Sequence, residues 1–338
     1  MDDALVWVRG VHFAATFTVA GVAFFIAFIG DPAFRKADAD ATLPGIVRRR
    51  LGWIAWIGLA LTVVSGAAWF ILVAASMSDQ PLANVFSEGV LGTVASDTDF
   101  GRAWLVRLAL ACLLAGFLVP CLSAKTEHPE RGRPGWITLA IVVVAACLVG
   151  TIAWAGHAVG GPGLGGTIHL AADVLHLVAA AAWVGTLLPL ALLLAAACRD
   201  SGPTATAVTV AATATTRFST LGVLSVATIL FTGSINTWYL AGSIPALTET
   251  DYGRLLLLKI ALFLGMVAIA AVNRLRLIPR LFGNGAAHAT REALRQLRRN
   301  VLVEIAAGAG VLAIVAVLGM SPPGIDEQAM PHAHHETH

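Results

Sequence analysis

Residues 136–156 read WITLAIVVVAACLVGTIAWAG, a run of 21 residues without a charged side chain. At a rise of about 1.5 Å per residue, a helix of this length spans the roughly 30 Å hydrocarbon core of a bilayer. A backbone in lipid must satisfy its own hydrogen bonds, so this run and seven further apolar stretches predict an all-α polytopic membrane protein. The eight predicted spans cover residues 4–29, 51–76, 103–123, 136–156, 168–198, 218–241, 254–272 and 301–319.

The composition agrees with that fold class and excludes several functions. Of the 338 residues 57% are hydrophobic and 12% charged, against about 45–50% and about 25% in soluble domains. A formal net charge of +2 gives no basis for nucleic-acid binding. The sequence contains no phosphate-binding loop of the Gly-x4-Gly-Lys-Ser/Thr type and no Cys-x-x-Cys. We therefore expect no nucleotide, no nucleic acid, no covalent haem and no enzymatic activity.

Basic residues accumulate in alternate connections. The segments after spans 1, 3, 5 and 7 carry 17 of the 22 lysines and arginines, whereas the opposite connections are acidic or neutral. The positive-inside rule places the basic segments in the cytoplasm, so both termini are predicted to lie in the periplasm, outside a bacterial inner membrane. Span 1 lacks a basic flank and a small-residue cleavage site, which predicts a retained span rather than a signal peptide.

One phrase occurs twice, because residues 98–102 read TDFGR and residues 250–254 read TDYGR, at the entrances of spans 3 and 7. Aligning the halves on this phrase brings His12 of span 1 into register with His176 of span 5. We predict two four-helix repeats related by an axis along the membrane normal. The chain is accordingly divided into four segments. Residues 1–135 contain spans 1–3 and the approach to span 4, and residues 136–166 contain span 4 and a glycine-rich loop. Residues 167–320 contain spans 5–8, and residues 321–338 form a tail.

Histidines gather toward the predicted periplasmic side. His12 and His176 lie on the order of 12 Å below that surface at about 1.5 Å per residue. His169, Asp173 and His176 share one helix face, and His157 ends span 4. Imidazole suits copper, zinc, iron and nickel, and a thioether favours Cu(I); hydrogen bonding between helices is the alternative role. The candidate metal ligands are His12, His157, His169, Asp173, His176 and Met320.

The C-terminal tail is rich in histidine. Such a tract can bind Cu(II) or Zn(II), or it can be an unstructured tail with incidental metal affinity. The candidate ligands in the tail are His332, His334, His335 and His338.

Three charged residues within spans need an explanation. Arg107 and Lys259 are related by the repeat, and they are interpreted either as snorkelling to the head groups or as partners of nearby aspartates, including Asp173. Glu304 follows two arginines and is expected to form an interfacial ion pair.

Several motifs together carry a family resemblance. They are Trp154-Ala155-Gly156-His157-Ala158, Asp173-Val174-Leu175-His176, Trp183-Val184-Gly185, Arg217-Phe218-Ser219, Thr232-Gly233, the segment YGRLLLLK at 252–259, and Asn273-Arg274. In these motifs the sequence resembles the copper resistance D (CopD) family of bacterial inner-membrane proteins, most densely over about 150–282. The resemblance implies copper taken from the periplasm, often with a small periplasmic copper-binding protein of the CopC type. It implies a copper site at His12, His157, Asp173 and His176.

Three functions compete at this point. The first is a copper permease that takes up periplasmic copper ions through an outward-facing histidine site. The second is a haem-b protein for electron transfer or metal reduction, with His12 and His176 as axial ligands. The third is a membrane dock for a periplasmic copper chaperone.

Overall fold

The structure, a computed structural model, describes residues 2–37, 42–78, 82–86, 89–122, 134–156, 163–198, 204–282 and 287–324. Within these ranges the chain forms helices and turns and no strand. Eight helices are long and apolar enough to cross a membrane, which confirms the predicted all-α class and number of spans. They are α1 (Asp3–Phe34), α2 (Leu43–Ser78), α3 (Asp99–Val119), α4 (Gly135–Ala155), α5 (Gly163–Ala197), α6 (Ala205–Ala241), α7 (Asp251–Phe282) and α8 (His288–Leu318).

Several helices extend beyond the predicted spans where the sequence becomes polar or basic. The helix α2 begins at Leu43 instead of residue 51, α6 at Ala205 instead of 218, and α8 at His288 instead of 301. The apolar pattern ends near the first polar or charged residues, but long basic side chains can reach water from a helix that continues. Those predicted boundaries were therefore wrong by 8 to 13 residues.

The bundle has two distinguishable sides. The side where α1 begins and α8 ends is called here the terminal side, and the opposite side, which carries the arginine-rich connections, the basic side. On the basic side Arg48 forms a salt bridge of 2.9 Å with Asp31. There too, Arg217 donates to the carbonyl of Phe28 at 3.0 Å, which ties α6 to α1.

Helices α1 and α5 pack against each other at the centre of the bundle. Gly21 of α1 and Gly185 of α5 approach so closely that a Cβ atom at either position would overlap the backbone of the other helix. Small residues permit such close packing of membrane helices. On α5, Trp183, Leu187 and Leu190 are fully buried around this contact.

The two copies of the repeated phrase make the same contacts. Thr98 accepts a hydrogen bond from the Gly101 N–H, and Thr250 accepts one from the Gly253 N–H, each at 2.9 Å. A short helix precedes each phrase, Val90–Asp97 before α3 and Ile244–Glu249 before α7. In both copies the aspartate pairs at 3.3 Å with the arginine three residues later. The same five-residue pattern therefore begins α3 and α7 in the same way.

The neighbours of these two helices differ. Helices α2 and α3 pack closely, since Phe70 stacks on Trp104 at 4.6 Å and the Trp104 indole donates to the Gly66 carbonyl at 3.0 Å. Helices α6 and α7 instead border a cavity of about 660 Å³. Leu230 and Trp238 of α6 line it although they are 51% and 73% exposed. The cavity therefore reaches the outer, apolar surface of the bundle between α6 and α7.

Candidate functional site

The cavity between α5, α6, α7 and α8 is lined by several polar side chains of the terminal side. Its walls are largely apolar, with Trp183, Phe263 and Met266 toward the centre of the bundle. The titratable and amide side chains that line it are His169, Asp173 and His176 from α5, Asn236 from α6, Tyr252 and Lys259 from α7, and Arg9 from α1; the hydroxyl side chains of Ser234, Thr237 and Ser243 also line it.

His176 is held in a defined tautomer. Its Nδ1 atom lies 3.1 Å from the Thr232 hydroxyl oxygen. The Thr232 hydroxyl proton is already donated to the carbonyl of Thr228 at 2.7 Å, so the hydroxyl oxygen accepts from the His176 Nδ1–H. The lone pair of a neutral imidazole then resides on Nε2, the atom available to a metal. Gly233 lies against the ring, where a Cβ atom would come within 3.3 Å of Cε1.

Asp173 occupies the same cavity one helical turn away. Its Oδ1 atom accepts a hydrogen bond from the Asn236 amide at 3.1 Å. Among the described residues, the amide of Asn236 donates to the carboxylate and no histidine hydrogen bond to it is found. Lys259 interacts electrostatically with Asp173 and with His176, but no salt bridge within 4.0 Å joins Lys259 to a carboxylate of the described residues.

His169 lies nearer the terminal side on the same helix face. It is buried, and its ring stacks on Tyr239 of α6 at 4.8 Å with the two planes nearly parallel. The predicted common face of His169, Asp173 and His176 therefore lines a single cavity.

His12 lies elsewhere, in a small pocket of about 20 Å³ between α1, α2 and α3. Its Nδ1 atom is 3.1 Å from the Thr62 carbonyl and from the Ser65 hydroxyl, which itself donates to the Leu61 carbonyl. The Nδ1–H is therefore donated here too. The His12 Nε2 atom is buried and has no hydrogen-bond partner among the described residues.

Arg107 lines the His12 pocket, and Arg9 lies over the neighbouring Trp69 ring. The guanidinium groups of Arg9 and Arg107 lie 5.0 and 5.3 Å from the ring of Trp69, against which the His12 ring packs edge-on. Arg107 is buried and donates to the Thr151 hydroxyl at 3.1 Å and to its carbonyl at 2.7 Å. The interpretation of Arg107 as a snorkelling side chain was wrong, because a polar partner lies within the bundle.

The remaining predicted ligands lie apart or outside the described residues. The Met320 sulfur is 4.0 Å from the Arg9 guanidinium. His157 and the tail histidines His332, His334, His335 and His338 fall outside the described residues. Gly156, which precedes His157, lies at the cavity wall, where a Cβ atom would be 3.7 Å from the Asp173 carboxylate. Within the part of the chain that the structure describes, no three His, Cys, Asp or Glu side chains are close enough together to hold a metal ion.

Three residues of the site were missed from the sequence. Arg9 could have been noticed as a charged residue within an apolar span, one turn before His12. Asn236 has an uncharged amide side chain, so it does not stand out within an apolar span. Tyr252 was noted only as part of the YGRLLLLK motif, and no role in the site was predicted for it. Nothing in the hydropathy of α6 or α7 marks either residue as a neighbour of Asp173.

Comparisons with known proteins agree with the copper-related interpretation. The family model described as "Copper resistance protein D" matches residues 212–318, and the model described as "Copper resistance protein D-like, N-terminal domain" matches residues 1–167. The chain is 30% identical to the inner membrane protein YebZ of Escherichia coli K12, over 82% of this chain and 86% of that protein. It is 27% identical to the copper transport protein CutJ of Bacillus subtilis 168, over 78% of this chain and 45% of that protein.

A further relative is similar over nearly its whole length. The copper resistance protein D of Pseudomonas syringae pv. tomato is 31% identical over 319 residues, which are 92% of this chain and 96% of that protein. The eight apolar helices and these relatives together support a multi-pass protein of the inner membrane with a copper-related function. The chain belongs to the copper resistance protein D family.

Proposed function

We propose that the chain transports copper ions across the bacterial inner membrane. The ions are taken up from the periplasm through the cavity bordered by α5, α6, α7 and α8. The observation that carries the proposal is His176, whose Nε2 lone pair is left free by the Nδ1–H bond to Thr232 and which lines the same cavity as Asp173. Imidazole nitrogen is a good copper ligand, and a nearby carboxylate offsets the charge of the ion. Copper is the cargo of this transport, and no chemical transformation is proposed.

The proposed ligand set is centred on α5. His176 and Asp173 contribute directly, His169 lies on the same face nearer the terminal side, and His157 follows a residue at the cavity wall. His12 is less suited to a cation, because its pocket of about 20 Å³ is lined by Arg107 and by no carboxylate of the described residues, whereas Asp173 lines the cavity of His176. We propose that His12 contributes to the packing of α1 against α2, and that Met320 contacts Arg9 instead of the ion.

The proposed direction of transport requires that the terminal side faces the periplasm. The distribution of basic residues favours that orientation. We also propose that α1–α4 and α5–α8 are parallel repeats. Three matching features support this proposal. Thr98 and Thr250 begin α3 and α7 in the same way, and His12 and His176 contact the Ser65-Gly66 and Thr232-Gly233 pairs. The contact glycines Gly21 and Gly185 each follow their histidine by nine residues.

Copper would reach the cavity from a periplasmic source. A small periplasmic copper-binding protein of the CopC type and the histidine-rich tail, with His332, His334, His335 and His338, are the proposed carriers. If the chain bound such a partner but failed to move copper into proteoliposomes, it would be a dock and not a permease.

The first test measures copper and iron per chain in the purified protein after brief copper exposure, together with copper uptake by cells. Wild type is expected to retain about one copper, and His176→Ala to lose it because its Nε2 is removed. His288→Ala is the matched control, since His288 is exposed on the basic side. Full copper content and normal uptake in His176→Ala would contradict the proposal.

The cavity also favours one alternative, haem b. Its volume of about 660 Å³ lies within the range of roughly 300–1,000 Å³ common for ligand pockets. Lys259 and Arg9 would provide positive charges for the two propionates of a haem. His12 and His176 line different pockets, so a haem in the cavity would have His176 but not His12 as an axial ligand. Near-stoichiometric iron with a Soret absorption that disappears in His176→Ala, measured with adequate haem supply, would replace the copper proposal.

A further inference from the structure

Glu304 is a second buried carboxyl group, separate from the cavity. It lies on α8 toward the basic side, and its side chain is 0% exposed. Its Oε1 atom accepts a hydrogen bond from the Asn273 amide at 2.9 Å. Its Oε2 atom is buried and has no hydrogen-bond partner among the described residues. The expected interfacial ion pair of Glu304 was therefore wrong.

A chain of amides leads from the basic side to this carboxyl. The Gln296 amide donates to Asn300 at 2.8 Å, and Asn300 donates to Asn273 at 2.7 Å. Asn273 then donates to Glu304. Asn273 begins a π-helical turn, Asn273–Leu277, a type of distortion that is frequent at functional sites. Every amide of the chain thus donates toward Glu304, and α7 and α8 are joined by these bonds.

Glu304 has no basic side chain as a partner among the described residues. Arg274 of α7 donates to Ser219 of α6 at 2.8 Å, and Asp31 of α1 pairs with Arg48 of α2. On α8 itself, Arg298 interacts electrostatically with the Cys198 thiol at the end of α5. No salt bridge joins Glu304 to a basic residue in the described part of the chain. A buried ionised carboxylate with one hydrogen bond and no counterion is strongly disfavoured.

We propose that Glu304 is a proton-binding site of the bundle, with the proton on Oε2 in the arrangement described here. Neutralisation removes the cost of burying a charge, while Oε1 still accepts from Asn273. When the contact between α7 and α8 opens to water on the basic side, the Oε2–H bond breaks and the proton passes to a water molecule, leaving the carboxylate. Loss of this proton offsets the charge of a copper ion that arrives from the opposite side; this last step alone rests on the proposed function.

The proton site is tested by infrared spectroscopy of the purified full chain at neutral pH. Wild type is expected to show the carbonyl stretch of a protonated carboxylic acid, and Glu304→Gln is expected to lose one such component. Glu292→Gln, which changes an exposed glutamate of the same helix, is the matched control and should keep it. The glutamine can still accept from Asn273, so the variant is expected to fold. An unchanged protonated-acid band in Glu304→Gln would overturn the proposal.

A second measurement needs no substitution. Labelling wild-type glutamate with carbon-13 is expected to shift a protonated-acid component, whereas a band that arises from Asp173 would not move. If the label shifts only carboxylate bands, Glu304 is ionised and the proposal fails. His176→Ala should leave the labelled component unchanged while removing copper, so failure of the copper proposal and failure of the proton site give different results.

Discussion

Lys259 introduces a positive charge into a cavity that we propose for a cation. With Arg9 it gives the cavity two cationic side chains against one carboxylate, Asp173. Its electrostatic interaction with His176 opposes the binding of a positive ion at that imidazole. Its interaction with Asp173 competes with the ion for the carboxylate. Lys259 is therefore expected to weaken the binding of copper in this cavity. Weaker binding permits release of a copper ion that is to be transported.

Replacing Lys259 with glutamine should strengthen copper binding. Removal of one nearby charge is expected to lower the dissociation constant about tenfold, or ~1.4 kcal/mol. Arg254→Gln is the matched control, because Arg254 is a cation of the same helix with 65% of its side chain exposed. Equilibrium titration with copper measures both variants. An unchanged dissociation constant in Lys259→Gln would show that copper does not bind near this residue.

Individual residues also show how far the sequence could predict the site. The spacing of His169, Asp173 and His176 was sufficient to place them on one face, because helical periodicity is a local property. Their partners depend on how neighbouring helices are rotated, which hydropathy does not determine. Thr232 beside His176 and Thr151 beside Arg107 could therefore not be identified.

At the scale of elements, the contact of α1 with α5 depends on two glycines. Gly21 and Gly185 leave no space for a methyl group, and the atoms that such a group would meet are backbone atoms. Backbone can move away only if the two helices separate, and buried helices cannot separate without losing packing along their length.

Gly21→Ala and Gly185→Ala should each destabilise the protein by about 1–3 kcal/mol through overpacking. Thermal unfolding in detergent, followed by size-exclusion chromatography, measures the loss. Gly265→Ala is the control, since a Cβ atom at Gly265 of α7 would meet nothing within 4 Å. It should be neutral or slightly stabilising, because alanine is the better helix former. Equal melting temperatures for all three variants would contradict the described contact.

For the molecule as a whole, the number of spans followed from the sequence but the cavity did not. Each span can be identified from the length and hydropathy of its own sequence, so eight helices could be counted without knowing how they pack. Whether α6 packs on α7 as α2 packs on α3 depends on side chains of two helices at once. In the first half Phe70 and Trp104 fill the interface. In the second half the stacked rings of His169 and Tyr239 join α5 to α6, and no stacked pair joins α6 to α7 among the described residues.

The orientation of the whole molecule is tested by fusion proteins. Alkaline phosphatase fused after Gly324 is expected to be active, because its disulfides form only in the oxidising periplasm. The same enzyme inserted within 199–203, between α5 and α6, should be inactive. The opposite pair of results would reverse the proposed topology and with it the proposed direction of copper transport.

The contact between Gly21 and Gly185 also limits how the two halves can move relative to each other. Both glycines lie well inside long helices, and the backbones touch there. The halves also meet elsewhere, since Arg217 of α6 donates to the Phe28 carbonyl of α1, so a rotation of one half about the glycine contact has to break that bond. Such a rotation widens one side of the membrane protein while it narrows the other. A transport cycle that exposes the two sides in turn would therefore keep the glycine contact and exchange the contacts on the basic side.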